Sequence, residues 1–214
     1  MKYKAIFFDF DGVILDTLHA KGDAFALLYT SDKNDKLFSD IMTLHLVNGG
    51  MNRVEKIKLI HRTFFKEEIS EELLNKKLAD LKVTMHKSLS QCPPIDNYVL
   101  PLIAKLASSV PLWVVSAAPL DELSLLCDNL KISGHFKKIL GSCKKTEVLK
   151  DLLEKENLKA EDTLFIGDAE EDFKAAKNNS LPFILKRNAN NKTPFSESYQ
   201  GASINSFNEL DSHL

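Results

Sequence analysis

The apolar residues of this chain change their spacing twice. Ala5-Ile6-Phe7-Phe8 is a continuous apolar run, extended by Phe10 and closed by Asp11-Gly12. A run this short, stopped by Asp-Gly, predicts a buried strand ending in a turn. From Thr17 to Gln91 the apolar positions recur at helical spacing: Leu27-Leu28, Leu37, Ile41, Leu44, Ile57, Ile60, Phe64, Leu73-Leu74, Leu78 and Leu81, with Lys and Glu between them. This predicts an almost wholly helical segment, interrupted at Asn48-Gly49-Gly50, with a helix start at Ser70-Glu71-Glu72 and an end at Cys92-Pro93-Pro94. From Asp96 onward short apolar runs alternate with amphipathic ones. Leu112–Ser116, Lys138–Leu140, Thr163–Ile166 and Pro182–Leu185 read as strands, and Asp121–Leu130, Thr146–Asn157 and Glu171–Asn178 as helices. Such alternation predicts parallel strands joined by crossover helices. The polar stretch Lys186–Ser203 reads as a surface loop. The expected fold class is α/β: a doubly wound parallel sheet built from residues 1–16 and 92–214, with a helical domain, residues 17–91, inserted after the first strand.

Composition narrows this picture without overturning it. A chain of 214 residues with 44% hydrophobic content can bury a substantial core. Lys and Arg number 28 against 30 Asp and Glu, so no basic surplus points to nucleic acid. No apolar run approaches the roughly 20 residues of a membrane span. The N-terminus leads straight into a strand without a cleavage-site pattern, so no secretory signal is expected. Cys92, Cys127 and Cys143 show no metal-type pairing and suit a reducing cytoplasm.

The chemistry gathers at strand ends. Asp9 and Asp11 sit at the far end of the first apolar run, and a strand interior cannot hold two unpaired carboxylates cheaply. In open α/β sheets, ligands bind outside the carboxyl ends of the strands. Trp113-Val114-Val115-Ser116-Ala117 ends a strand on a small hydroxyl residue. Lys144 and Lys145 precede a helix. Phe165-Ile166-Gly167-Asp168 ends another strand, with Asp172 four residues later. Adjacent strands would collect Asp9, Asp11, Ser116, a lysine, Asp168 and Asp172 on one edge. Four carboxylates against one lysine call for a divalent cation, and hard oxygen donors favour magnesium. A metal and a lysine together leave room for phosphate.

These residues, in this order, resemble the haloacid dehalogenase superfamily of phosphohydrolases. Asp9-Phe10-Asp11-Gly12-Val13 with Asp16-Thr17 matches its first motif, and Gly167-Asp168 with Asp172 its last. The helical insertion after the first motif resembles the cap of the phosphoglycolate phosphatase and phosphomutase branch, on a Rossmann-like core. The resemblance implies Asp9 as a nucleophile forming an aspartyl-phosphate, and Asp11 as general acid and base. It implies Mg2+ held by Asp9, Asp168 and the backbone carbonyl of Asp11. Ser116 and the amide of Ala117 would bind phosphoryl oxygens, a lysine would neutralise their charge, and Asp172 would orient water or hold that lysine. Gly12 would let the chain turn away beside the site. Dehalogenases of the superfamily lack the second aspartate, so Asp11 argues for phosphoryl chemistry.

Several readings stay open on sequence alone. Asp-Gly after a strand is often only a turn, and a serine at a strand end often only a cap. Lys144 and Lys145 compete for one role, with the position just before the helix favouring Lys145; the chain lacks the Lys-Pro pair common in this motif. None of the six histidines falls in a motif. Within the cap, His45–Lys56 reads as a specificity loop in which Asn52, Arg53 and Lys56 touch the leaving group, with Lys21 and His19 as weaker candidates. The expected activity is a cytoplasmic, magnesium-dependent phosphatase acting on a small-molecule phosphate ester, without nucleic-acid or membrane partners. A phosphomutase, a phospho-accepting switch and a non-enzymatic interaction domain are the alternatives.

Overall fold

The computed structural model describes residues 1–48, 51–188 and 193–214. Its strands are β1 (Ala5–Phe8), β2 (Leu112–Val115), β3 (Lys138–Leu140), β4 (Thr163–Gly167), β5 (Phe183–Lys186) and β6 (Ser203–Ile204). Its helices are α1 (Leu18–Ala26), α2 (Lys36–Val47), α3 (Arg53–Ile60), α4 (Glu71–Leu89), α5 (Val99–Ala107), α6 (Leu120–Asn129), α7 (Lys145–Lys155), α8 (Glu170–Asn178) and α9 (Pro194–Ser198). They form two compact units, Met1–Asp16 with Pro93–Leu214, and Thr17–Cys92.

The first unit carries one sheet in the order β3-β2-β1-β4-β5-β6, every adjacent pair parallel. This bears out the doubly wound α/β core: the chain runs outward from β1 to β3, then returns to the other side of β1 with β4. Such a reversal opens a crevice at the carboxyl ends of the central strands. All residues of β1, β2, β4 and β5 are buried, as expected of strands covered on both faces. Side chains alternate between the faces. Ala5 and Phe7 join Trp113, Val115, Phe165 and the inner faces of α7 and α8, through Leu149, Leu152, Ala175 and Ala176. Phe7 meets Trp113 edge-on at 5.2 Å. Phe8 points the other way, toward Phe136 and Phe207. The next odd position is Asp9, which alternation directs to the α7 and α8 side.

Two parts of this unit depart from the sequence reading. The stretch Lys186–Ser203 is more than a surface loop, although its residues 189–192 lie outside the described ones. Lys186 completes β5, Thr193 caps α9, and Ser203 opens β6. The Arg187 guanidinium donates to the carbonyls of Ser196 and Tyr199 and to Ser203 Oγ. Phe195 then stacks on Phe173, and Tyr199 meets Phe173 and Phe183 edge-on. Two aromatics in a polar run leave no readable period, so the packing escapes sequence analysis. The helix α5 is a second element beyond the sequence expectation. Asp96 fixes its start by accepting from the Tyr98 and Val99 amides, and ties it to the C-terminal turn by accepting from Ser206 Oγ and the Phe207 amide.

The second unit is helical among its described residues. Side-chain caps start three of its helices: Asp35 for α2, Asn52 for α3 and Ser70 for α4. Phe25, Ile41, Ile57, Ile60, Leu81 and Met85 are buried in it. A π-helical turn, His61–Phe65, continues α3. No helix among the described residues is long and apolar enough to cross a membrane.

Candidate active site

Asp9 is the first residue beyond β1, and its amide donates to the Ile166 carbonyl of β4 at 2.9 Å. Phe8 pairs with Val114 on one side and Ile166 on the other. Continued by one or two residues, this register brings Asp9, Ser116 and Asp168 to the same edge. Opposite them, α7 begins at Lys145 and α8 at Glu170, so both helix starts face that edge from the side to which Asp9 points.

The lysine is the centre of the arrangement. Lys145 Nζ lies 2.8 Å from Asp9 Oδ1 and 2.5 Å from Asp172 Oδ1. The other oxygen of Asp172 accepts from the amides of Asp168 and Ala169, at 3.2 and 3.1 Å. Asp172 is the third residue of α8, and reaching back to the residue before the helix satisfies donors that the helix itself cannot. One buried side chain therefore fixes both the lysine and the backbone that carries Asp168.

The negative charge is only partly balanced. Oxygens of Asp9, Asp168 and Asp172 lie within 4.8 Å of one another. Burial pushes the Asp9 carboxyl up to about 7; Lys145 opposes this, while Asp172 and Asp11 add to it. Burial, then the charges of Asp9 and Asp172, raise Asp168 well above the usual carboxylate range. For Lys145, burial works against the charged form, but Asp172 and Asp9 outweigh it and hold the ammonium charged. Asp172 is engaged through both oxygens, which leaves Asp9 and Asp168 as the carboxylates for a cation. A pair of hard, repelling oxygen donors fits a divalent ion such as magnesium. The turn at Gly12 has φ +74°, and a Cβ there would fall 2.1 Å from Asp168 Oδ2. Glycine thus permits both the left-handed turn and the close approach of the Asp11-Gly12 backbone to Asp168.

The haloacid dehalogenase-like hydrolase family model matches residues 6–186, from β1 to the end of β5.

The chain belongs to the haloacid dehalogenase-like hydrolases.

Solved structures of the superfamily share its fold. A haloacid dehalogenase-like family hydrolase from Streptococcus pneumoniae is 18% identical, with 100% of this chain and 99% of that one covered and a TM-score of 0.69. A protein described as a predicted phosphoglycolate phosphatase from Haemophilus somnus is 16% identical, with 100% and 98% covered and a TM-score of 0.79. YfnB from Bacillus subtilis, described as a HAD-hydrolase bound to magnesium, is 22% identical, with 100% and 99% covered and a TM-score of 0.77. At these identities the likeness is one of fold. Among curated proteins, ATP synthase subunit delta from Ruminiclostridium cellulolyticum is 25% identical over 124 residues, 58% of this chain; the match spans 65% of that protein's length.

The other residues singled out in the sequence fall as follows. Ser116 is buried, and its Oγ accepts from the Ala118 amide at 3.1 Å, which leaves its hydroxyl proton to donate. Ala117 beside it is exposed at the strand end. Asp11 is half-buried, close enough to act on the charges of Asp9 and Asp168. Lys144 is exposed and faces Glu147, so it does not share the position of Lys145. The stretch His45–Lys56 is not one loop. His45 ends α2, Asn52 caps α3 by accepting from the Glu55 amide at 2.9 Å, and Arg53 and Lys56 are helical. Gly49 and Gly50 lie outside the described residues. Sequence analysis missed the burial of His45 and Lys56. An apolar neighbour at i+1 and i+4 of Lys56, Ile57 and Ile60, was the available signal that it lies on the inner face of α3.

Proposed function

We propose that the chain is a magnesium-dependent phosphatase that hydrolyses a small phosphorylated metabolite in the cytoplasm through an aspartyl-phosphate on Asp9. The observation that carries the reading is Lys145, largely shielded from solvent and ion-paired with Asp9 at the end of the central strand while Asp172 holds it from behind. Family membership and the fold support it. So do the three unpaired cysteines, which suit a reducing compartment.

The steps follow from the charges. An Asp9 oxygen attacks phosphorus, and the bond to the leaving oxygen breaks. Asp11 gives its proton to that oxygen, then takes one from the water that attacks phosphorus and releases Asp9. Lys145, the Ser116 hydroxyl and the Ala117 amide face the phosphoryl oxygens as charge spreads over them. Asp9, Asp168 and the Asp11 carbonyl would hold magnesium, whose charge would screen the repulsion between carboxylate and phosphate. In the second unit, Arg53, Asn52 and Lys56 select the leaving group.

Turnover of p-nitrophenyl phosphate and a panel of phosphorylated metabolites tests this. The expected result is release of phosphate that requires magnesium and disappears in a folded Asp9→Asn variant. Full activity after chelation, or in Asp9→Asn, overturns the reading. Transfer to a second hydroxyl without phosphate release would mark a phosphomutase instead.

A further inference from the structure

The first unit buries a second lysine beside the acidic edge. Lys186, the last residue of β5, is 2% exposed. Leu185 before it joins the Phe7 and Trp113 side of the sheet, so strand alternation turns Lys186 to the opposite side. There its Nζ lies 5.9 Å from the centre of the Phe207 ring, which also meets Phe8. β4 and β5 pair Gly167 with Leu185. Continued by one residue, this register sets Asp168 beside Lys186. Alternation gives both the same side, since Phe165 lies with Leu185 on the other. Lys145 reaches Asp9 from the start of α7, on the side of Phe7 and Trp113. The two lysines therefore flank the acidic edge from opposite faces of the sheet.

The contacts of Lys186 do not use its charge. Its Nζ donates to the carbonyls of Arg187 at 3.0 Å and Asn205 at 2.9 Å. A neutral donor would serve both, whereas taking an ammonium out of water is costly. The acids around it act from a distance. Burial works against the charged form, and Asp96, then Asp168, Glu209 and Asp16, favour it without cancelling the burial. Two of these are engaged with backbone: Asp96 accepts from the Tyr98, Val99 and Phe207 amides, and Glu209 from the Asn205 amide. Asp168 is the one that belongs to the candidate site.

We propose that Lys186 is a positioning residue of that site, a fixed positive charge that acts through Asp168. It loosens the hold of the acidic edge on a divalent cation and tightens its hold on a phosphoryl anion. The carboxylates of Asp9, Asp11, Asp168 and Asp172 against Lys145 alone would grip a divalent ion tightly and repel phosphate. A second ammonium weakens both effects, and burial leaves it poorly screened by salt. The proposal rests on Asp9 and Asp168 as cation ligands, and so on the phosphatase reading.

Calorimetry tests it without turnover. Magnesium is titrated into metal-free wild type, Lys186→Gln and Lys186→Met, and inorganic phosphate into each after saturation with magnesium. Both variants lose the charge, and the glutamine still offers N–H bonds to the carbonyls. Each should bind magnesium at least about threefold more tightly than wild type, and phosphate at least about threefold more weakly. Opposite shifts set charge apart from damage, since a distorted edge weakens both ligands. If Lys186→Met does not fold, Lys186→Gln decides. Magnesium affinity unchanged or weakened in Lys186→Gln overturns the proposal, and so does phosphate affinity that fails to drop. Changes confined to Lys186→Met would make hydrogen bonding the residue's task, and overturn it as well. A wild type that takes up no magnesium removes the cation assignment, and the role of Lys186 falls with it. A wild type that binds magnesium and releases phosphate from esters, with unshifted variants, refutes the role of Lys186 alone.

Discussion

Lys145 sits where two buried carboxylates need it, and its neighbour in sequence does not. Removing one partner of a buried charge cluster leaves the remaining charges uncompensated, at a cost of roughly 3–5 kcal/mol. Lys145→Met should therefore lower thermal stability clearly and reduce turnover by more than about a thousandfold, since charge stabilisation in the transition state is lost as well. Lys144→Met removes only an exposed contact to Glu147 and should change stability by less than about 0.5 kcal/mol, with activity retained. Paired melts and rates of the two variants check this. Asp9 adds a pH signature in metal-free protein. Its folded-state value of about 7 lies above the ordinary carboxyl value, so the folded state holds a proton that the unfolded chain has lost. The associated stability is complete below about pH 4 and is lost as pH rises through about 7. With chelator present, Tm should fall between about pH 4 and about pH 7, and Asp9→Asn should flatten that fall. A flat wild-type profile would show that Asp9 ionises freely in the folded protein.

Asn52 caps an element that the proposed function also draws on. Its side-chain oxygen caps α3, the helix that presents both Arg53 and Lys56. Losing such a cap costs about 1 kcal/mol. Asn52→Ala should lower Tm and weaken the turnover of the best substrate, while Asn52→Ser, which can still accept from the Glu55 amide, should preserve both. If Asn52→Ser keeps Tm but loses selectivity, the amide touches substrate directly as well as capping. The two helix starts beside the sheet obey the same logic. Asp172 is legible as an acidic residue in the first turn of α8, yet its second task, holding Lys145, depends on α7 arriving from 27 residues earlier in the chain.

At the scale of the molecule, the sheet reversal at β1 assembles residues from three parts of the chain, and a bound cation should hold them together. A ligand that binds only the folded state stabilises it by about 2.7 kcal/mol at a hundred times its Kd. Trp113, the single tryptophan, is buried in β2 beside β1, so its fluorescence reports unfolding of the unit that carries the site. Magnesium should raise that transition, and beryllium fluoride with magnesium should raise it further by mimicking a phosphoryl group on Asp9. Asp168→Asn should abolish the magnesium effect. Calcium should inhibit turnover, because it takes more oxygen ligands at longer distance. A transition indifferent to magnesium would remove the cation from the site.

The linear order of residues was enough for the sheet and its edge. Short apolar runs closed by Asp-Gly or Gly-Asp are local signals, and burial on both faces writes them plainly into β1 and β4. Asp9, Asp11, Ser116 and Asp168 follow from them, because a strand's end can be read from the strand. Sequence position favoured Lys145 over Lys144 without separating their roles: the direction in which α7 leaves the sheet turns one toward Asp9 and Asp172 and the other to solvent. Tertiary structure also turned the polar run after Lys186 into packed structure around Arg187, and it buried Lys56 against His45. These are pairings between distant segments. Each residue's own neighbours in sequence leave its partner undefined, so the burial of a charge becomes visible only when the elements are brought together.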